Sequence, residues 1–305
     1  MTNIAHTYSI VARDAKSGQL GAAVQSHWFA VGSLCPWAEA GVGVIATQSV
    51  VEPGYGVQGL RLLRTGLPAD MVLAELLAKD ENREIRQVAI VDSTGLVASH
   101  TGKNCIAEAG HISGNGWSVQ ANMMKSSTVW PAMARTFETA PGDLADRMMA
   151  ALVAAQEQGG DIRGKQSAAM LVVGGQKTER PWEHVFINIH VDDHPEPLVE
   201  LQRLLKIQRA YHLMNEGDAF LGKKDYEKAM QRYQSAEELA PNIEEIPFWV
   251  AVTLADSGNL DKALPLFRKA FAINPDWAEM VQRLPKVGFL KEDAEMMKKI
   301  MAVMN

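Results

Sequence analysis

Short apolar runs broken by polar turns alternate with longer stretches of helical spacing over the first two thirds of the chain. Thr7–Ala12 is β-branched and aromatic and leads into an Asp14–Gly18 turn. Leu20–Phe29 returns from it, so the two runs predict a hairpin. Gly43–Thr47 is apolar enough to be a strand buried on both faces. Two helices are expected next. One begins near Gly56 and carries Leu60, Leu63 and Arg64. The other begins after Pro68, with Met71, Leu73, Leu76 and Leu77 on its apolar side. Proline is harmless there, because the first helical N–H has no intrahelical partner. Arg86–Val91 and Leu96–His100 read as a hairpin across Asp92–Gly95. The glycine-rich stretch Gly110–Gly116 reads as a turn and Trp117–Ala121 as a short strand. Helices are expected over 126–138 and 142–157, the second with Leu144, Met148, Ala151 and Leu152 on one stripe. Ser167–Val173 and His184–Val191 read as strands, and a helix runs from Pro197 to about Tyr211.

The helices come in pairs between groups of strands, which disfavours a parallel doubly wound sheet. The order fits an α+β fold. Two mainly antiparallel sheets would stack, with a helix pair on each outer face. Val88–Val91 and Ala168–Val173 are apolar at every position, as a strand covered on both sides requires.

The last hundred residues differ in kind. Ala229, Tyr233, Ala236 and Pro241 recur as Ala263, Phe267, Ala270 and Pro275, each displaced by 34 positions. That period, with small residues at a helix crossing, an aromatic and a terminal proline, is a tetratricopeptide-like signature. Residues 277–305 would form a capping helix pair. The chain thus divides into residues 1–205 and a helical repeat domain, 206–305. Two repeats bury too little to stand alone. They are expected to pack on the first domain or on a partner subunit, and a homo-oligomer is expected.

Composition narrows the classes. Of 305 residues, 47% are hydrophobic and 22% charged, and the net charge is −6 with no basic cluster. A soluble protein with a real core is implied, and nucleic acid is not an expected partner. No apolar run reaches the ~18–20 residues of a membrane helix, so no membrane association is expected. Met1–His6 is too short and polar for a signal peptide, and the cytoplasm is the expected location. The two cysteines, Cys35 and Cys105, have no metal-type spacing and read as buried small residues.

The usual catalytic signatures are absent: no G-x-S-x-G, H-E-x-x-H, Walker loop or strand–G-x-G-x-x-G–helix occurs. No motif implies a cofactor. What remains are polar groups at strand ends. Thr7 and Ser9 open the first strand, and a hydroxyl there acts as a nucleophile if a base lies within reach. Ser26 and His27 end the second strand; Thr47 and Gln48 end the third. Asp161, Arg163 and Gln166 lie in a glycine-flanked loop before a buried strand, where they could bind a carboxylate or amide. Asp192, Asp193 and His194 contain metal-capable groups, but an Asp cap before the Pro197 helix accounts for them more simply. His100, His111, His184 and His190 have no partner identifiable from sequence and read as structural.

Taken together, Ser9–Asp14, Ala30–Gly32, Ala46–Gln48, the Gly159–Ser167 stretch and Val191–Pro195 resemble the bacterial domain-of-unknown-function family DUF1028 over about residues 7–205. The resemblance implies a four-layer αββα sandwich of the Ntn-hydrolase type. By analogy with that superfamily it implies hydrolysis of a small amide through an N-terminal hydroxyl residue, matched here by Thr7. Six residues precede Thr7, so this chemistry requires cleavage between His6 and Thr7. The lysine that proteasome-type enzymes carry on the third strand is missing from Gly43–Gln48.

Two functions are therefore expected. One is a hydrolase of a small amide or other C–N bond. Thr7 would be the nucleophile, with Ser9 its runner-up. Ser26, His27, Thr47 and Gln48 would line the pocket or supply oxyanion donors, and Asp161, Arg163 and Gln166 would orient groups. The other is a non-catalytic scaffold that recruits a protein partner through residues 206–305.

Overall fold

A computed structural model describes residues 4–5, 7–223 and 225–304. It is a mixed α/β chain with two antiparallel sheets and a C-terminal helical region. The chain divides into two compact units, one ending at Leu204 and the other beginning at Leu205.

The first unit contains eleven described strands. They are β1 (Ile4–Ala5), β2 (Thr7–Arg13), β3 (Leu20–Ser26), β4 (Pro36–Glu39), β5 (Gly43–Val50), β6 (Arg86–Asp92), β7 (Val97–Thr101), β8 (Gly110–Gly114), β9 (Trp117–Ala121), β10 (Ser167–Val173) and β11 (Val185–Val191). One sheet has the order β1-β5-β6-β7, with β4 also paired to β5. The other has the order β11-β10-β3-β2-β9-β8. Successive side chains on a strand point to opposite faces. Val11, Ala22, Val24 and Ala169 from the second sheet therefore meet Val44, Ala46, Ala89 and Val91 from the first in one dry cluster. Burying each such valine fully contributes about 1.5–3 kcal/mol.

The outer faces are covered by helices. Ile45, Val88 and Ile90 pack under α1 (Gly54–Arg64) and α2 (Ala69–Ala78). The α2 face is Ala69, Val72, Leu73 and Leu76, at i, i+3, i+4, i+7 spacing. Met71, expected on that face, is 54% exposed, and Val72 takes its place. The second sheet carries α3 (Val129–Thr139) and α4 (Leu144–Glu157). The first turn of α4 is closed by a capping box. The Asp143 carboxylate accepts from Asp146 N, and the Asp146 carboxylate accepts from Asp143 N.

The Gly110–Gly116 stretch is a strand, not the turn expected from its glycines. β8 pairs with β9 from Gly110↔Ala121 to Gly114↔Trp117, and only the residues between the two strands turn. The glycines serve close approach. A Cβ on Gly114 would come within 2.3 Å of the Trp117 ring, and one on Gly110 within 2.8 Å of Trp130. β4 was not anticipated.

The second unit is helical. The helix from Pro197 extends as α5 to Gly222, past the expected end at Tyr211, and contains the unit boundary. It is followed by α6 (Tyr226–Leu239), α7 (Glu245–Asp256), α8 (Leu260–Ile273), α9 (Asp276–Arg283) and α10 (Ala294–Met301). Three of the four recurring residues in each set are buried: Ala229, Tyr233 and Ala236 on α6, and Ala263, Phe267 and Ala270 on α8. Among the described residues no helix is long and apolar enough to cross a membrane.

Candidate functional site

The space between the sheets changes character along its length. The inner positions of β2 read Thr7, Ser9, Val11; those of β5 read Gln48, Ala46, Val44; those of β6 read Gln87, Ala89, Val91. Antiparallel pairing, Ala46↔Ala89 and Gln48↔Gln87 among others, aligns the polar ends. Thr7, Ser9, Ser26, Gln48, Gln87, Gln120 and Asn122 are all 0% exposed. A buried amide left without partners costs about 1–3 kcal/mol, and bonds among the members and to nearby backbone carbonyls offset that cost.

Gln48 is the hub. Its Oε1 accepts from Ser9 Oγ at 2.6 Å. Its Nε2 donates to Gln87 Oε1 at 2.7 Å and to the Thr7 carbonyl at 3.0 Å. That carbonyl also accepts from Asn122 N at 3.1 Å and Nδ2 at 3.4 Å. The Asn122 amide further donates to Gln87 Oε1 at 2.8 Å. Gln120 Nε2 donates to Ser9 Oγ at 3.3 Å and to the Ala46 carbonyl at 3.0 Å. The Thr7 hydroxyl donates to Ser26 Oγ at 3.2 Å, its cross-strand neighbour on β3.

This geometry separates the two hydroxyls. The Ser9 proton is committed to an amide oxygen, which is no base. The Thr7 hydroxyl faces another hydroxyl, at the first position of its strand, where the chain enters from β1. The β1 backbone pairs Ile4 with Val50 and Ala5 with Ser49, beside this end of β5. Ser49 is buried and holds a left-handed φ of 73°, and Met123, next to Asn122, has φ 58°. Such strain in residues with a Cβ concentrates at functional sites.

The other sequence-derived candidates divide. Thr47 lies on the opposite face of β5 from Gln48, and its Oγ1 donates to the Glu52 carbonyl at 3.3 Å, bracing the turn into α1. Asp161 is buried, with its oxygens taken by Arg163 N, Nε and Nη2, the last at 2.7 Å, and by His27 N at 3.2 Å. The pair pins its loop to the end of β3, beside Ser26. Among the described residues His27 Nδ1 is buried without a hydrogen-bond partner. Gln166 Nε2 donates to Asp193 Oδ1 at 3.2 Å, at the surface. His194 Nδ1 accepts from Glu196 N. Among the described residues no group of three or more His, Cys, Asp or Glu side chains could hold a metal ion, so Asp192, Asp193 and His194 form no such centre.

Gln87, Gln120 and Asn122 were missed from the sequence. Each is a lone amide in or beside an apolar strand, and that interruption was the available signal. His111, which had no partner in sequence, gains one: its Nδ1 lies 2.8 Å from Thr101 Oγ1. His100 Nε2 similarly meets the Arg83 carbonyl, and His190 Nε2 meets Asn188 Oδ1.

Comparison with known proteins adds the following. A family described as "Family of unknown function (DUF1028)" matches residues 7–201. The chain is similar to the crystal structure of protein SPO2555 from Silicibacter pomeroyi, itself assigned to the same family, at 27% identity and a TM-score of 0.59. The similarity covers 66% of this chain and 88% of that one. No curated protein matches.

Proposed function

The chain belongs to the DUF1028 family, and from its buried polar site we propose that it hydrolyses a small amide or related C–N bond with the Thr7 hydroxyl as nucleophile. One observation carries the reading. Thr7 opens a central strand, and its carbonyl is held by three donors from Gln48 and Asn122. Its hydroxyl is directed at Ser26. Two stacked sheets, each under a helix pair, support assigning the first unit to a four-layer αββα fold of the Ntn-hydrolase type. The buried Ala–aromatic–Ala recurrence supports a tetratricopeptide-like reading of the second.

In this reading, cleavage between His6 and Thr7 frees the Thr7 α-amine, whose ordinary pKa near 8 suits a general base. The amine takes the hydroxyl proton as Thr7 Oγ1 bonds to the substrate carbonyl carbon. Collapse of the tetrahedral adduct breaks the C–N bond, and the departing amine leaves with that proton. Water then hydrolyses the resulting ester and restores Thr7. The Ser26 hydroxyl is placed to orient Thr7 Oγ1. Ser9 and Gln48 hold the strand in position.

Intact mass of the purified protein, together with amine release from a panel of small amides, tests this. A chain beginning at Thr7 is expected, with turnover abolished in Thr7→Ala and retained in Ser9→Ala. Turnover by a chain that still carries Met1, or by Thr7→Ala, overturns it. The zero exposure of Thr7 and the strand pairing of Ile4–Ala5 ahead of it favour a second reading, a non-catalytic scaffold. That reading expects no hydrolysis and partner capture that depends on residues 206–305.

A further inference from the structure

A cleft of about 490 Å³ opens beside β7 and β8, lined by residues of the 101–111 segment. The size is that of a small-molecule site. Its wall is tied to the buried cluster. Gln87 Nε2 donates to Thr101 Oγ1 at 2.9 Å and to the Gly110 carbonyl at 3.2 Å, and both residues line the cleft. Gln87 Oε1 in turn accepts from Gln48, which holds the Thr7 carbonyl. Two amide side chains therefore separate the cleft wall from Thr7.

The hydrogen bonds also join His111 to the cleft wall. Thr101 Oγ1 lies within hydrogen-bond distance of both Gln87 Nε2, at 2.9 Å, and His111 Nδ1, at 2.8 Å. Desolvation and the neighbouring His100 lower the His111 pKa. Behind His111, its cross-strand neighbour Gln120 has a buried Oε1 without a partner among the described residues. Buried acceptors are otherwise almost always paired.

Two opposite charges complete the lining. Neither the Lys103 ammonium nor the Glu108 carboxylate pairs with any described side chain, and both residues are exposed. Glu108 holds a left-handed φ of 56°, a conformation that glycine or asparagine would adopt more readily. We propose that this cleft binds a small zwitterion, an amino acid or its carboxamide, with its carboxylate at Lys103 and its ammonium at Glu108. The unpaired charges of both signs in one polar cleft are the basis, and the inference stands whether or not Thr7 is a nucleophile.

Titration calorimetry with L-glutamine and L-asparagine tests it, with acetate and methylammonium as single-charge controls. Wild-type and Thr7→Ala chains are compared, so binding is read apart from any turnover. Saturable binding of at least one amino acid is expected in both. Lys103→Met and Glu108→Gln, both at exposed positions, should each weaken it by about tenfold or more, the loss of one charge-assisted contact. No saturable binding at millimolar concentration, equal binding by either control, or unchanged affinity in both variants overturns the proposal.

Discussion

Replacing Gln48 with leucine, of similar volume but without polar atoms, tests the claim that the intersheet amides are held up by one another. Gln48 makes three close bonds: to Ser9 Oγ at 2.6 Å, Gln87 Oε1 at 2.7 Å and the Thr7 carbonyl at 3.0 Å. Two of those partners keep another donor. The Thr7 carbonyl retains Asn122 N, and Gln87 Oε1 retains Asn122 Nδ2. Among the described residues the Ser9 hydroxyl keeps the incoming Gln120 amide and, for its own proton, the Cys35 sulfur, a weaker acceptor than an amide oxygen. One poorly paired buried donor and two weakened acceptors amount to about 2–4 kcal/mol, at about 1–3 kcal/mol for each fully unsatisfied group. A fall in melting temperature of about 5–15 °C should follow. Urea unfolding of the full chain measures the loss, and a double-mutant cycle with Ser9→Ala locates it. Removing both partners should recover about 1 kcal/mol or more relative to the sum of the single changes. A loss below about 1 kcal/mol for Gln48→Leu, or strict additivity, would refute the network account.

Three further outcomes are expected. Gly41→Ala should cost about 2–4 kcal/mol in the same unfolding assay, since Gly41 has φ 66° and a Cβ there would meet Lys177 N at 2.0 Å. At Asp80, desolvation is outweighed by the hydrogen bonds from Arg86, Tyr55 and Asn82 N, which hold the carboxyl below its ordinary value of 3.8. That stabilisation is present above the ordinary value and is lost as pH falls through the lower folded one. Asp80→Asn should therefore flatten the acid limb of stability against pH below about 4 and leave its shape at pH 6–8 unchanged. Burial pushes the Cys35 thiol up to about 12. A thiol reagent at pH 8 should therefore label half-buried Cys105 first and Cys35 only on unfolding; labelling Cys35 in the native protein would contradict its placement.

Much of the local structure was legible in the sequence, because strand and helix periods are local signals. The pairing of helices between strand groups, the β2–β3 and β6–β7 hairpins and the burial of Val88–Val91 all follow from residues close in the chain. The misreadings share a cause. Gly110–Gly116 carries turn residues, yet Gly110 and Gly114 are glycine because tryptophan rings lie where a Cβ would stand. Met71 has the right polarity for a buried face, but α2 buries the stripe Ala69, Val72, Leu73 and Leu76 and leaves Met71 exposed.

By itself, then, the sequence determined most of the strands and helices, the 34-position recurrence of residues in the last hundred, and which hydroxyls lie near strand ends. Only the tertiary structure decided which of those ends meet. Thr47 and Gln48 are adjacent in sequence and equivalent by composition, but the two-residue period of a strand sends one to the helix layer and the other to the opposing sheet. Gln87, Gln120 and Asn122 come from strands and turns far from Thr7 in the chain. They join it because antiparallel register aligns the polar ends of β2, β5, β6 and β9, and because a buried amide finds its partners only across that stack.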